Sequence, residues 1–385
     1  MPTSGLKNTL YRFALPFLAP SVPESPIAAA YGHPIFQKNS FLSVLRKNHI
    51  SGAAIRIQSG PSYSSLFTKA FHTDRIPDQT TFFRVASITK MATALLAARL
   101  MDIGLLDPDS PVSDLLPDGK NIPDLAGIRF FHLLSHTSGL TDPPGLEAIL
   151  LSQKPYQTAL KGSRRNDPGA VFHYSNLGFG LIGSIFEALL NQSVEQVFHQ
   201  FCFEPLGINA TLEASSLPDH RIMPVVRIMP YHPENAILRT SLGNLPVHFP
   251  DPEYHYGYTA GSMYIDLPSL ATLTSCVRDG GFPLLSPAYA GYMKKEKGTY
   301  GSVSPTLSYG SGLLIVRDSR ISDSVLYGHQ GFAYGCADGV FWEESTGNLF
   351  ISMNGGASEA RSGRFGLVNL HLCRWAFREE LPRWN

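Results

Sequence analysis

The 385-residue chain lacks an excess of charge of either sign, since 31 basic and 31 acidic residues balance. A neutral chain without a basic face offers no electrostatic attraction to nucleic acid or to an anionic membrane. It also contains no apolar run as long as the roughly 20 residues that a membrane-spanning helix needs. The sequence therefore favours a small-molecule or short-peptide substrate as partner, with no nucleic acid and no membrane-spanning segment.

Cysteines and metal-binding motifs are scarce as well. The four cysteines show no CxxC spacing and are too few for a disulfide framework, so we expect buried free thiols; they are Cys202, Cys276, Cys336 and Cys373. The 13 histidines form no HExxH or comparable cluster. The sequence predicts neither a metal nor a cofactor.

A signal for export is weak at the N-terminus. Lys7 and Arg12 precede an apolar stretch at residues 13–22, as in a signal peptide, but Pro16 and Pro20 interrupt it. We expect residues 1–30 to be a leader that is disordered or cleaved. A soluble cytoplasmic location is favoured over secretion. The sequence does not decide whether the leader is removed.

The remaining chain contains enough apolar residues, 43% of the total, for a large core. Residues 105–254 alternate short helical patterns with Pro- and Gly-bearing loops, without a convincing strand. Helices and strands are predicted on both sides of this stretch, at 36–49, 52–58, 65–70, 91–101, 267–278, 287–294, 311–316, 324–329, 335–342, 349–353 and 365–379.

Hairpin-length links between consecutive strands imply an antiparallel sheet. We therefore predict an α/β (α+β) fold with an antiparallel sheet flanked by helices. Residues 31–104 and 255–385 would form an α/β lobe, and residues 105–254 a mainly helical insertion lobe. The active site is expected between these two lobes.

Ser87 and Lys90 stand at the start of the apolar helix. Residues three apart share a helix face, so the amine would lie beside the hydroxyl, and the helix N-terminus would favour an oxyanion. Ser-x-x-Lys alone is a weak signal, because Ser4 and Lys7 match it in the leader. The alternative is an N-capping Ser87 with a solvated Lys90, which the apolar run after Lys90 opposes.

Two further groups are informative only in combination. Tyr174 and Asn176 flank a serine in the helical region, and a tyrosine beside cationic groups is able to act as a base. His329 and Gly331 lie at the end of a predicted strand with another strand following, whereas the similar copy at His255 lies in a loop-rich stretch. Taken singly, a buried tyrosine and an ordinary strand histidine would be the preferred interpretations.

In this order, Ser87-Ile-Thr-Lys90, Tyr174-Ser-Asn176 and His329-Gln-Gly331 resemble the penicillin-recognising serine hydrolases. The most similar members are class C β-lactamases, D-alanyl-D-alanine carboxypeptidases, D-aminopeptidases and family VIII esterases. Three supporting stretches also resemble this family, at residues 83–90, 132–139 and 259–262. The similarity extends from about residue 35 to 375 and implies a β-lactamase/transpeptidase-like fold.

The resemblance implies Ser87 as nucleophile and Lys90 as the amine that tunes it. It implies that Tyr174 is the general base of acylation and then the acid toward the leaving group. Substrate contacts are implied for Asn176, His329 and Gly331, and an oxyanion hole for the backbone N–H groups of Ser87 and Phe332. No metal takes part.

The third motif departs from the family pattern, which is usually Lys-Thr-Gly or His-Thr-Gly. Gln330 and Phe332 lack the hydroxyl that helps hold a substrate carboxylate, so a strong grip on one is doubtful. Arg361 and Arg364, expected on the last helix, are candidates for such a grip, although exposed arginines are the commoner outcome.

Several functions remain open at this point. The first is hydrolysis of a small ester, amide or β-lactam-like substrate through an acyl-enzyme. A D-alanyl-D-alanine carboxypeptidase or D-aminopeptidase is an alternative, as is acyl transfer to an alcohol. From another class, a catalytically silent binding or sensor protein of the same fold would not require Ser87, Lys90 and Tyr174 together.

Overall fold

The structure is a computed structural model that describes residues 21–228 and 247–384. Fourteen strands occur in these residues: β1 (Ile27–Gly32), β2 (Ser51–Ser59), β3 (Ser62–Thr68), β4 (Phe83–Arg84), β5 (Ala210–Thr211), β6 (Tyr264–Ile265), β7 (Gly298–Thr299), β8 (Leu307–Tyr309), β9 (Leu314–Val316), β10 (Leu326–Ala333), β11 (Cys336–Glu343), β12 (Leu349–Gly356), β13 (Arg361–Ser362) and β14 (Phe365–Gly366). Nine of them form one antiparallel sheet in the order β1-β3-β2-β12-β11-β10-β9-β8-β7.

Thirteen α-helices occur in the same two ranges: α1 (Lys38–Lys47), α2 (Thr89–Asp102), α3 (Val112–Leu115), α4 (Phe130–Leu134), α5 (Leu146–Leu151), α6 (Tyr156–Leu160), α7 (Asn176–Leu190), α8 (Val194–Phe198), α9 (Glu204–Leu206), α10 (Tyr258–Gly261), α11 (Leu267–Arg278), α12 (Pro287–Lys294) and α13 (Leu367–Arg374). Short 3₁₀ turns and two π-helical turns connect several of them.

The large sheet is covered by helices on both faces, because alternate residues of a strand point to opposite sides. In β2, Ile55 and Ile57 belong to the same buried cluster as Phe41 of α1. Ala54, beside Ile55, belongs to the opposite cluster with Leu95 of α2. A second sheet of three short strands, β4-β6-β5, connects the chain before α2 to the chain before α11. The turn before α2 lies against β10 of the large sheet, where Gly331 approaches Val85 and Ala86 closely.

The predicted fold class is confirmed, with an antiparallel sheet, flanking helices and a mainly helical stretch between α2 and α11. Helices α11 and α12 have the predicted bounds. All four cysteines are buried free thiols, as expected. The division into two lobes stays a prediction. Among the described residues no single helix is long and apolar enough to cross a membrane, and one bent pair passes that test by length and composition only.

Three local expectations were wrong. Residues 27–32, of which 27–30 were assigned to the leader, form β1, because the free edge of β3 offers unpaired backbone groups to them; residues 1–20 lie outside the described ranges. The helical insertion contains the short strand β5, which pairs with β6. The closing helix begins at Leu367, because residues 365–366 pair with residues 361–362 as a hairpin.

Candidate active site

Ser87 lies where strand β4 leads into helix α2, in a 3₁₀ turn formed by residues 86–88. Ala86 has a φ of 47°, in the left-handed region that is unfavourable for residues with a Cβ atom. Such strain occurs most often at functional sites. The turn leaves Ser87 partly exposed, whereas Lys90, one turn further along, is fully buried.

The amine of Lys90 makes three polar contacts. Its Nζ lies 2.8 Å from Oδ1 of Asn176 and 2.6 Å from the carbonyl oxygen of Ala260. The contact to Oγ of Ser87 is longer, at 3.2 Å. Carbonyl oxygens only accept hydrogen bonds, whereas a hydroxyl also donates. A neutral amine satisfies all three contacts, with two N–H donors to the carbonyls and its lone pair toward the Ser87 hydroxyl.

Electrostatics also favour the neutral amine. Burial lowers the pKa of Lys90 from 10.5 to about 7, with the charge of Asp142 raising it and that of Arg84 lowering it further. The charged form is disfavoured because a buried ammonium loses its hydration. Near neutral pH, a substantial fraction of Lys90 is therefore able to accept a proton from Ser87.

Asp142 orients this part of the site and was missed from the sequence. Its carboxylate accepts hydrogen bonds of 2.9 Å from Nδ2 of Asn176, Oγ of Ser175 and the N–H of Leu177. The bond to Nδ2 turns Oδ1 of Asn176 toward Lys90. A signal was available, because Asp142 comes three residues after the stretch 132–139 that resembles the family.

Tyr174 lines the cavity beside Ser87. Nζ of Lys90 lies 4.9 Å from the centroid of the Tyr174 ring, and the Ser87 hydroxyl acts on the phenol. Burial raises the pKa of Tyr174 well above its usual value of 10, although the Ser87 contact opposes this. The phenol is therefore protonated at neutral pH. This favours proton donation by Tyr174 and makes Lys90 the better candidate for the base.

His136, also missed as a site residue, supports Tyr174. The two rings lie 4.2 Å apart between centroids, and Nδ1 of His136 accepts a 3.0 Å hydrogen bond from the N–H of Ser175. Nδ1 therefore carries no proton, so the neutral ring is protonated at Nε2. Burial lowers the pKa of His136 well below 6.5, which keeps the ring neutral. His136 thus shapes the Tyr174 loop without adding charge.

His329 lies in β10 at the cavity wall, but both ring nitrogens have internal partners. Nδ1 is 2.7 Å from the carbonyl oxygen of Gln330, and Nε2 is 3.0 Å from Oη of Tyr309. Because a carbonyl only accepts, Nδ1 is the donor and Nε2 accepts from Tyr309. Burial, followed by the charge of Lys90, lowers the pKa of His329 to about 3. His329 is therefore a neutral side chain at pH 7.

Gly331 lets β10 approach the turn that carries Ser87. A Cβ atom at Gly331 would lie 2.2 Å from the carbonyl oxygen of Val85 and 3.3 Å from Cβ of Ala86. No side chain fits this space. The next residue, Phe332, lines the same cavity as Ser87. The edge of β10 therefore lies directly against the turn that presents Ser87.

Around Ser87 is a cavity of about 500 Å³. It is also lined by the predicted site residues Tyr174, Asn176 and His329. Phe332, predicted for its backbone N–H, also lines the cavity, together with three aromatic residues that were not predicted, Phe172, Tyr300 and Tyr309. Arg361 and Arg364 line it too. Their expected position on the last helix was wrong, because the hairpin of β13 and β14 carries them.

The competing copy of the histidine motif, at His255, lies apart from this site. Ser4 and Lys7 fall outside the described residues. His255 hydrogen-bonds to Glu187 at 2.8 Å, and neither residue lines the cavity around Ser87. Within residues 21–228 and 247–384, no group of three or more histidine, cysteine or acidic side chains is arranged to hold a metal ion.

Known proteins resemble the chain in sequence. The β-lactamase family model matches residues 47–342. The ML-236A carboxylate methylbutanoyltransferase of Penicillium citrinum is 29% identical over 242 residues, which is 52% of this chain and 57% of that protein. The D-alanyl-D-alanine-carboxypeptidase/endopeptidase AmpH of Escherichia coli (strain K12) is 28% identical over 152 residues, 37% of this chain and 39% of that protein. The matches thus span about half the length of these relatives, or less.

Solved structures share the fold. The D-amino acid amidase from Ochrobactrum anthropi SV3, complexed with L-phenylalanine, superposes with a TM-score of 0.70 at 22% identity, covering 88% of this chain and 96% of that one. EstCE1, a hydrolase with promiscuous acyltransferase activity, gives 0.67 at 20% identity, covering 88% and 97%. The resemblance seen in the motifs is confirmed, because the family model covers more than half of the chain. The protein belongs to the β-lactamase family, a family of serine hydrolases.

Proposed function

We propose that the protein is a serine hydrolase that forms an acyl-enzyme on Ser87 and acts on a small ester, amide or β-lactam-like substrate. The observation that carries this proposal is the fully buried amine of Lys90, 3.2 Å from Oγ of Ser87. Because burial lowers its pKa to about 7, this amine is able to take the hydroxyl proton. A base of this kind makes Ser87 a nucleophile.

In acylation, Oγ of Ser87 attacks the substrate carbonyl carbon while its proton passes to Nζ of Lys90. The phenol of Tyr174 then gives its proton to the leaving oxygen or nitrogen and regains one from the Lys90 ammonium. The carbon–leaving-group bond breaks, and an ester of Ser87 remains. Water attacks this ester with the same groups moving the protons, and the free acid and Ser87 are regenerated.

The oxyanion of each tetrahedral intermediate would be held by the backbone N–H groups of Ser87 and Phe332. Two features support this assignment. Ser87 precedes α2, whose N-terminus carries partial positive charge. Gly331, which lies against Val85 and Ala86, immediately precedes Phe332, and this supports the Phe332 N–H as the second donor.

Acyl transfer to an alcohol is a second candidate. Several aromatic side chains line the cavity around Ser87 and would offer apolar contacts to an alcohol acceptor. One relative is named as a methylbutanoyltransferase and one structural neighbour as a hydrolase with promiscuous acyltransferase activity. In this chemistry the alcohol would replace water in the second step, with the same acyl-enzyme.

A peptidase and a silent binding protein would make different demands on this site. A carboxypeptidase or D-aminopeptidase would cleave D-configured peptides, as the name of AmpH indicates for that protein. A silent binding protein would have no need of a buried lysine beside a partly exposed serine. The charge on Lys90, if unused, only destabilises the folded state.

The test combines p-nitrophenyl acetate and butyrate with a fluorescent penicillin, on the natural chain and on Ser87→Ala. We expect turnover of at least one ester and an acyl adduct on the peptide containing Ser87, seen by mass spectrometry. Both should vanish in Ser87→Ala. Ester turnover that survives this substitution would exclude Ser87 as nucleophile. Absence of turnover and of any adduct would favour the silent protein.

A further inference from the structure

Gln330 occupies the position where the family pattern has a hydroxyl residue, yet its side chain turns away from such a role. Its Nε2 donates a 2.6 Å hydrogen bond to the carbonyl oxygen of Arg364. Its Oε1 accepts a 3.0 Å hydrogen bond from the N–H of Gly366. The side-chain amide thus pairs in both directions with the backbone of the β13–β14 hairpin, as a peptide group of a neighbouring strand would.

This hairpin needs such support, because each of its strands has only two residues and isolated hairpins are marginally stable. Phe332 provides more of it: the guanidinium carbon of Arg361 lies 4.2 Å above its ring, and a Cβ atom on Gly366 would lie 2.3 Å from its Cζ. The N–H of Arg364 also donates to Oγ of Ser304 at 2.7 Å. Gln330 and Phe332 of β10 thus supply part of the support for the hairpin, and the buried Phe365 supplies another part by packing on Phe341.

The hairpin brings positive charge to the cavity. Arg361 and Arg364 both line the cavity and are exposed. Within residues 21–228 and 247–384, neither forms an ion pair with a carboxylate. The charge of Glu359 acts on Arg361, but Glu359 does not line the cavity. Asp142, the acidic residue in the lining, has its oxygens engaged by three internal donors.

We propose that Gln330 is a positioning residue that fixes the β13–β14 hairpin as one wall of the cavity and thereby selects substrates with a negatively charged arm on that side. This inference rests on the proposed function, since the wall acts on a substrate bound at Ser87. Gln330 itself touches no reacting atom. It acts through the guanidinium groups of Arg361 and Arg364, because it holds in place the β13–β14 hairpin on which both arginines lie.

The test uses Gln330→Met, which keeps the side-chain length and removes both hydrogen bonds. KM and kcat are compared for 4-nitrophenyl hydrogen glutarate and for the neutral 4-nitrophenyl valerate. We expect KM for the anionic ester to rise about tenfold, the size of a lost charge-assisted contact, with kcat changed less than about twofold. Kinetics with the neutral ester should change less than about twofold. The exposed Gln79→Met is the matched control.

A combined variant shows whether Gln330 acts through the arginines. Arg361→Gln with Arg364→Gln should raise KM for the anionic ester similarly, and adding Gln330→Met should then cost less than about a further twofold. Arg165→Gln, at an exposed site, is its control. Additive losses, equal losses for both esters, or an unchanged KM in Gln330→Met would each overturn the proposal.

Hydrogen exchange distinguishes this inference from the proposed function. In Gln330→Met, amides of residues 361–366 should lose protection relative to Gln79→Met, whether or not any ester is hydrolysed. Unchanged protection would overturn the positioning role. If the natural chain hydrolyses neither ester, the proposed function fails, and the substrate selection proposed here fails with it.

Discussion

The cavity has two walls whose polar side-chain atoms differ in their hydrogen-bond partners. On the helical wall, formed by Lys90, Tyr174 and Asn176, the amine of Lys90 contacts the Ser87 hydroxyl and Asn176 in turn contacts that amine, while the Tyr174 phenol lies beside them. On the strand wall, formed by His329 and Gln330 of β10, the side-chain nitrogen and oxygen atoms pair with other parts of the protein. From this difference we infer, in line with the proposed function, that the helical wall carries the chemistry and the strand wall shapes the cavity. Substitutions on the two walls should therefore differ sharply in effect.

The largest effect is expected from Lys90→Met on the helical wall. Removal of the amine leaves no base within reach of Oγ of Ser87, so kcat/KM for p-nitrophenyl butyrate should fall by about 10²–10⁴-fold. Burst kinetics with mass spectrometry would locate the loss in acylation. The exposed Lys154→Met should leave activity unchanged. A loss below about tenfold in Lys90→Met would remove Lys90 from the role of base.

Tyr174→Phe should have the next largest effect. We expect the acylation rate to fall about 10²-fold, because the leaving group then lacks a proton donor. The deficit should be greater for an amide than for a p-nitrophenyl ester, whose leaving group departs without protonation. Comparing both substrates in the variant tests this directly. Tyr254→Phe, at an exposed site, is the control. Equal losses for amide and ester would contradict proton donation by Tyr174.

The pH dependence of activity should follow the titration of Lys90 on the helical wall. Lys90 must be unprotonated to accept the Ser87 proton, and burial lowers its pKa to about 7. Activity should therefore be constant above pH 7 and fall about tenfold per pH unit below it. His329, with a pKa of about 3, should add no inflection between pH 5 and 8. A profile flat across that range would be incompatible with Lys90 as base.

Asp142→Asn should have a smaller effect, about tenfold on kcat, because Asp142 acts through Asn176. An amide at this position retains an acceptor but introduces N–H groups that oppose the donors of Ser175 and Asn176. The lost negative charge should also lower the pKa of Lys90, since Asp142 raises it. The acid limb of the pH profile should therefore move to lower pH than in the control Asp74→Asn. A limb that stays in place would leave Asp142 with a structural role alone.

The smallest effect is predicted for His329→Gln on the strand wall. His329 is neutral and its nitrogens are occupied, so kcat/KM for p-nitrophenyl butyrate should fall by less than about fivefold, much below the loss from a general acid or base. The exposed His220→Gln serves as control. A loss of about 10²-fold or more would place His329 among the groups that act on the substrate, and the contrast between the two walls would not hold.

Much of the fold was predictable because periodicity is a local property. Helices α11 and α12 were predicted with their observed bounds, and the antiparallel sheet followed from short links between strands. The edge strand β1 was missed because its pairing with β3 is not visible in an Ala-rich run. The β13–β14 hairpin was missed for a similar reason, since two-residue strands have no period to detect.

By itself, the sequence identified the family through its three motifs. It also led to the prediction of Ser87 as nucleophile, because spacing along a helix or strand dictates which side chains share a face. Only the tertiary structure decided which groups carry charge. Burial lowers the pKa of both Lys90 and His329, and the partners of His329 leave no ring nitrogen for a substrate. Asp142, Tyr309 and the arginine-bearing hairpin reach the Ser87 cavity from distant parts of the chain. Desolvation and long-range hydrogen bonding depend on the whole fold, so no local pattern reports them.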